Sequence, residues 1–188
     1  LNSQPMGFYA PAQIVRDARE HDVPVRPICV EHSYWDNVLE PAGNGRLAVR
    51  LGFRQIKGFR EEDGQWLSAA RGNGYRSIDA VWRKAGLDRG ALSKLAQADG
   101  FAAHGLNRRD ALWAVKGLGG EKPLPLFANL GEGLPENSTA LPLMDLREEV
   151  FEDYIGTRLT LREHPVTLLQ GDIGPTLPSK NLRNTVDG

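Results

Sequence analysis

Cysteine is almost absent from this chain: Cys29 is the single thiol in 188 residues. That excludes an internal disulfide framework and suits a reducing, cytoplasmic setting. No apolar stretch approaches the roughly 18–20 residues that cross a bilayer, and no leader with a basic start and an apolar centre opens the chain. The expectation is no membrane attachment. His21, His32, His104 and His164 are scattered, without the Cys/His spacing of a zinc site. Phosphate-cradling Gly-Lys loops, nucleophile elbows and paired catalytic carboxylates are missing as well, which argues against a small autonomous enzyme. An initiator methionine is also missing and the sequence stops on Val-Asp-Gly; the expectation is a piece of a longer protein.

What the chain does have is segregated charge. Of 23 Lys/Arg and 24 Asp/Glu in all, residues 46–116 hold 14 bases against 7 acids, a net of +7 inside a chain whose total is -1. A basic centre between acidic flanks points to a polyanionic partner. A solvated helical face is the competing explanation.

Periodicity places the elements. Pro11 suits a helical first turn, with Ile14, Val15 and Ala18 on one face as far as His21. Residues 23–30 are β-rich but interrupted by Pro24 and Pro27, which predicts a short edge strand, and residues 37–45 read as turn. Leu47, Val49, Leu51 and Phe53 alternate with Ala48, Arg50, Gly52 and Arg54, a period of two that predicts a strand. From Glu61 the period becomes helical. Ser77, Asp88 and Asn107 are the expected N-caps of three further helices, and Trp35, Trp66, Trp82 and Trp113 are expected in the core. Residues 119–142 read as a Gly/Pro-rich linker. Asp145 opens another helix, expected to break at His164-Pro165. The fold class is therefore mainly α with a small β element. Four parts are expected: 1–45, a compact basic helical domain at 46–118, a linker at 119–144, and a helical tail at 145–188.

Within the basic centre stands Ile56-Lys57-Gly58-Phe59, an apolar-x-Gly-apolar step before Glu61, Glu62 and Asp63. It reads as the turn of a helix-hairpin-helix, which grips phosphates through backbone amides. Glycine suits a reversal with positive φ or a close approach, and amides at a helix start favour anions. Alone, such a string is a common turn. Residues 101–106 have the size of a second hairpin.

The strings NSQPMGFYAP, DAREHDVPVRP, LGFRQIKGFREED and EDYIGTRLTLREHP resemble the bacterial C-family DNA polymerases, the DNA polymerase III alpha subunits. GLNRRDALWAVKGL and the nearby LPLFA resemble their error-prone branch. The resemblance implies a stretch running from the end of the fingers, through a tandem helix-hairpin-helix domain, to the lead into an OB domain. It implies a parent DNA-directed DNA polymerase used in damage-tolerant synthesis and DNA repair, dependent on Mg bound by residues this chain lacks; no catalytic residue or cofactor is expected here. Candidate DNA contacts are Arg54, Lys57, Gly58, Phe59 and Arg60 at the first hairpin, with Arg60 where the family often has a second glycine. Gly100, His104, Arg108 and Arg109 are the candidates at the second. Leu124, Leu126 and Phe127 match a sliding-clamp peptide whose usual glutamine is replaced by Pro123. Implied partners are duplex DNA, a sliding clamp and other error-prone polymerase factors. A protein-interaction segment with little DNA binding of its own is the alternative.

Overall fold

Helix starts follow the caps that the sequence supplies. The computed structural model describes residues 1–5, 7–119 and 141–174. Among these, α1 (Pro11–Glu20) precedes a small sheet, and α2 (Glu61–Ala69), α3 (Ile78–Ala85), α4 (Arg89–Gln97) and α5 (Arg108–Gly117) follow it. Ser77, Asp88 and Asn107 accept from the amides of Ala80, Ala91 and Asp110 at 3.1, 2.7 and 2.9 Å. Each satisfies one of the unpaired amides of its helix start. Beyond residues 120–140 come α6 (Leu146–Thr157) and α7 (Pro165–Ile173). No described helix is long and apolar enough to cross a membrane.

The sheet has the order β1-β3-β2, with β1 (Val25–Arg26) parallel and β2 (Val38–Gly43) antiparallel to the central β3 (Arg46–Arg50). β2 occupies residues expected to be turn. Pro41 is tolerated because β2 is an edge strand, and the register shift between Pro41 and Gly43 absorbs the irregularity. Asn44 and Gly45, with φ of 50° and 73°, close the β2–β3 hairpin, as Asn-Gly does in tight hairpins. β3 stops at Arg50, short of the predicted end, and Phe53 lies in a single 3-10 turn. Glu40 ties the three strands together by accepting from Arg26 and Arg50 at 2.5 and 2.8 Å. Burial opposes its charge, but the hydrogen bonds from Arg50 and Arg26 hold its carboxyl below the usual range.

One hydrophobic cluster joins Val15 of α1 and Val30 to Leu67, Val81, Leu92 and Val115 of the helical region, and to Leu159 beyond α6. Trp82 is 5% exposed and belongs to it, but Trp66 and Trp113 are 65% and 55% exposed, contrary to expectation. Leu67 takes the inward position on α2, which turns its neighbour Trp66 outward. On α5 the inward positions go to Ala111 and Val115. α7 begins at Pro165, where a break was expected; proline lacks only an amide that a first turn leaves unpaired anyway. His164 Nδ1 accepts from the Val166 amide at 3.2 Å, so His164 caps a helix start. The tetrad Leu124-Pro125-Leu126-Phe127 lies outside the described residues.

Candidate nucleic-acid interface

The turn at residues 56–59 is anchored by its outer members. Ile56 and Phe59 are 3% and 7% exposed, and the Phe59 ring lies 6.0 Å from that of Phe53. With both apolar residues in the core, Lys57 and Gly58 are left in solvent. Gly58 has a φ of +69°, so the left-handed geometry that favours glycine is realised here. The Phe59 amide closes the turn onto Ile56 O at 3.2 Å. Lys94 Nζ donates to Gly58 O at 2.5 Å. The Gly58 amide makes no hydrogen bond, and the Lys57 ammonium no ion pair, within the described residues.

Two expectations for this hairpin change. Arg60 was expected to reach a phosphate, but its Nε and Nη2 both donate to Asp63 at 2.8 Å. That hydrogen-bonded carboxylate raises the guanidinium pKa and offsets its charge locally. Arg54 is likewise paired, with Asp36. Glu61, Glu62 and Asp63 occupy the first turn of α2, adding negative charge where an anion would meet the helix amides. Of this hairpin's candidates, the Lys57-Gly58 step is the one left without an acidic partner among the described residues. Phe59 is a core anchor beneath it.

The second candidate set does not join this turn. Gly100 donates to Leu95 O at 2.9 Å and accepts from the Val30 amide at 3.0 Å; it closes α4 and has no positive φ. The turn glycine of this segment is Gly105, with φ +72° and open space where a Cβ would stand. His104 Nε2 lies 2.7 Å from Glu31 Oε1 and is tied to the segment between β1 and β2. Arg108 was a candidate DNA contact, yet its side chain is fully buried. Its Nη1 lies 2.9 Å from Glu149 Oε2 and its Nη2 2.5 Å from Asp153 Oδ1. Arg109 is held by Glu148 at 3.1 Å and by Pro142 O at 2.8 Å. Arg108 and Arg109 thus dock α6 onto α5.

A third turn was read only as the stop of one helix at Gly86 and the cap of the next at Asp88. Gly86, between α3 and α4, has a φ of +63°, and Leu87 behind it is 2% exposed. Gly86-Leu87-Asp88-Arg89 and Gly105-Leu106-Asn107-Arg108 repeat one pattern: positive-φ glycine, apolar anchor, capping Asx, arginine. That repeat was visible in the sequence. Its arginines diverge, because Arg89 is exposed while Arg108 is buried.

α4 meets the first turn at two points. Arg60 Nη2 lies 3.9 Å from the helix's N-cap Asp88 and Lys94 meets Gly58, while from the end of α6 the carbonyl of Gly156 accepts from the Lys57 amide at 2.8 Å. Beside the turn opens a cleft of about 440 Å³, with Arg54, Lys57, Gly58, Thr157 and Arg158 in its walls and no Asp or Glu among its lining residues.

A family model for the helix-hairpin-helix motif matches residues 22–111, so the chain carries a module of that class. Its relatives narrow this further. The chain is 58% identical over 184 residues to the error-prone DNA polymerase of Ruegeria pomeroyi, covering 97% of this chain and 17% of the relative. It is 52% identical over 172 residues to the enzyme of that name from Brucella abortus, covering 90% of this chain and 16% of the relative. With that from Sinorhizobium medicae it shares 45% identity over 213 residues, covering 100% of this chain and 19% of the relative. The chain is a homologue of error-prone DNA polymerases and spans less than a fifth of the length of these relatives.

Proposed function

We propose that this chain is the part of an error-prone DNA polymerase that holds duplex DNA by its backbone. The supporting observation is the exposed Lys57-Gly58 step, whose ammonium has no ion pair and whose Gly58 amide has no hydrogen bond among the described residues, on buried anchors. Amides and ammonium groups meet phosphate oxygens and read no base edges, so binding is independent of sequence. Affinity should lie at roughly 10⁻⁴ to 10⁻⁶ M near physiological salt. Among the described residues no group of three or more His, Cys, Asp or Glu is placed to hold a metal ion. By the family resemblance, and not from that absence, the Mg-dependent nucleotidyl transfer is proposed to belong to parts of the whole enzyme outside this chain. The test is fluorescence anisotropy with short duplexes of unrelated sequence across a salt series. Lys57→Ala should weaken all of them equally and lower the log–log salt slope by about 0.9. Unchanged affinity and slope would refute the assignment.

By the same resemblance, residues 124–127 are proposed as a weak clamp-binding peptide, because Leu126 and Phe127 are kept while Pro123 replaces glutamine. A peptide titration against the clamp, in which Leu126→Ala with Phe127→Ala changes nothing, would remove that role.

A further inference from the structure

The cleft beside the first turn holds a second unpaired cation, supplied from beyond the linker. Arg158 is the C-cap of α6, with φ +61° and ψ 16°, a left-handed conformation that side chains other than glycine, Asn and Asp seldom adopt. Arg158 is exposed and makes no ion pair within the described residues, whereas Arg26, Arg50, Arg54, Arg60, Arg109 and Arg162 are all paired.

Its position is fixed from both sides. The Arg158 amide donates to Tyr154 O at 3.1 Å. Gly156 packs against α4 so closely that a Cβ there would come 3.2 Å from Gln97 O. The carbonyl of Gly156 is the acceptor of the Lys57 amide. A single backbone bond therefore stitches the end of α6 to the hairpin turn, and Lys57 and Arg158 stand in the walls of one acid-free cleft.

We propose that Arg158 is a further phosphate contact, acting with Lys57 and the Gly58 amide on the backbone of duplex DNA. The inference rests on the DNA-holding reading above and extends it. The grip is assembled from two stretches of chain, one on each side of residues 120–140, so bound DNA also fastens α6 to the hairpin. A cation at a helix C-terminus interacts favourably with the helix dipole too, but that role changes stability and leaves DNA affinity alone.

The test uses the full chain and a short fluorescent duplex. Arg158→Gly removes the charge and suits the left-handed geometry, so its Tm should equal or exceed the parent's. Its affinity should fall about 8-fold near 0.1 M salt and its salt slope by about 0.9. Arg158→Lys should keep the slope. If Arg158→Gly binds as the parent does while Lys57→Ala is weakened, Arg158 plays no part and the hairpin reading survives. If neither variant is weakened, both ideas fall. If Arg158→Lys loses as much as Arg158→Gly, charge is not the cause and the proposal is wrong; the same comparison decides the matter should Arg158→Gly also melt early.

Discussion

Replacing Arg108 with methionine separates a structural cation from a DNA-contacting one. The side chain is fully buried and bridges α5 to α6 through Glu149 and Asp153, with Nη1 also donating to Glu149 O at 3.0 Å. Removing one partner of a buried ion pair costs about 3–5 kcal/mol, because the other charge is left behind. Here Asp153 keeps Arg162 at 2.8 Å and Thr160 at 2.6 Å, and Glu149 keeps Arg162 at 3.1 Å. Met also retains most of the apolar stem. The lower end applies, about 3 kcal/mol, equivalent to a Tm drop of roughly 6–12 °C for a chain of this size. Thermal unfolding followed by circular dichroism measures it, and anisotropy well below the transition measures DNA binding. The salt slope should match the parent's, because a buried guanidinium reaches no phosphate. Arg89→Met, at the equivalent point of the Gly-Leu-Asx-Arg repeat, is exposed and should change stability by no more than about 0.5 kcal/mol. An Arg108→Met variant that melts with the parent yet loses about 0.9 of slope would refute the argument from burial.

Three further outcomes follow from packing and charge. Gly52→Ala should be severely destabilising, by about 3 kcal/mol or more, since its Cβ would stand 2.3 Å from Trp35 O and 2.4 Å from Asp36 C; urea unfolding reads this, and a parental midpoint would show that the Trp35-Asp36 backbone yields. Glu40 has a folded pKa below its ordinary 4.5, so its contribution is complete above that value and is lost as pH falls through the folded pKa. Unfolding free energy should therefore decline below about pH 5, less steeply in Glu40→Gln; identical acid profiles would deny Glu40 that role. Trp82→Ala should cost about 3–5 kcal/mol and Trp66→Ala less than about 0.5 kcal/mol, and equal losses in denaturant would contradict the opposite burial of the two rings.

The sequence was most legible where structure is local. A cap needs only a short polar side chain within reach of amides two or three residues on, and Ser77, Asp88 and Asn107 all serve as read. The first turn was legible for the same reason, since Gly58 and its apolar neighbours carry their geometry within four residues. β2 was obscured because Pro41 and Gly43 look like turn residues, although on an edge strand neither breaks a required pairing. The Asn44-Gly45 step was the available signal for that hairpin. Trp66 and Trp113 were misjudged because size suggests burial, whereas position on the helix decides it.

The site was legible only in part, because charge in a sequence does not reveal which charges are already spent. Lys57 and Arg60 stand three residues apart and look equivalent, but Asp63 sits one turn from Arg60 and takes its guanidinium. Arg89 and Arg108 occupy the same step of a repeat, and what distinguishes them is Asp153, 45 residues beyond Arg108. Arg158 is the converse case: it lies outside the basic centre, and the Lys57–Gly156 backbone bond places it beside the turn. Net charge along the chain marks the stretch that carries the Lys57-Gly58 turn, but a phosphate responds to cations whose charge is not already met by a carboxylate. Arg76, Arg89 and Lys116 meet that criterion too among the described residues, so what sets Lys57 and Arg158 apart is position: one inside the basic centre and one outside it, they line one cleft with no Asp or Glu among its lining residues.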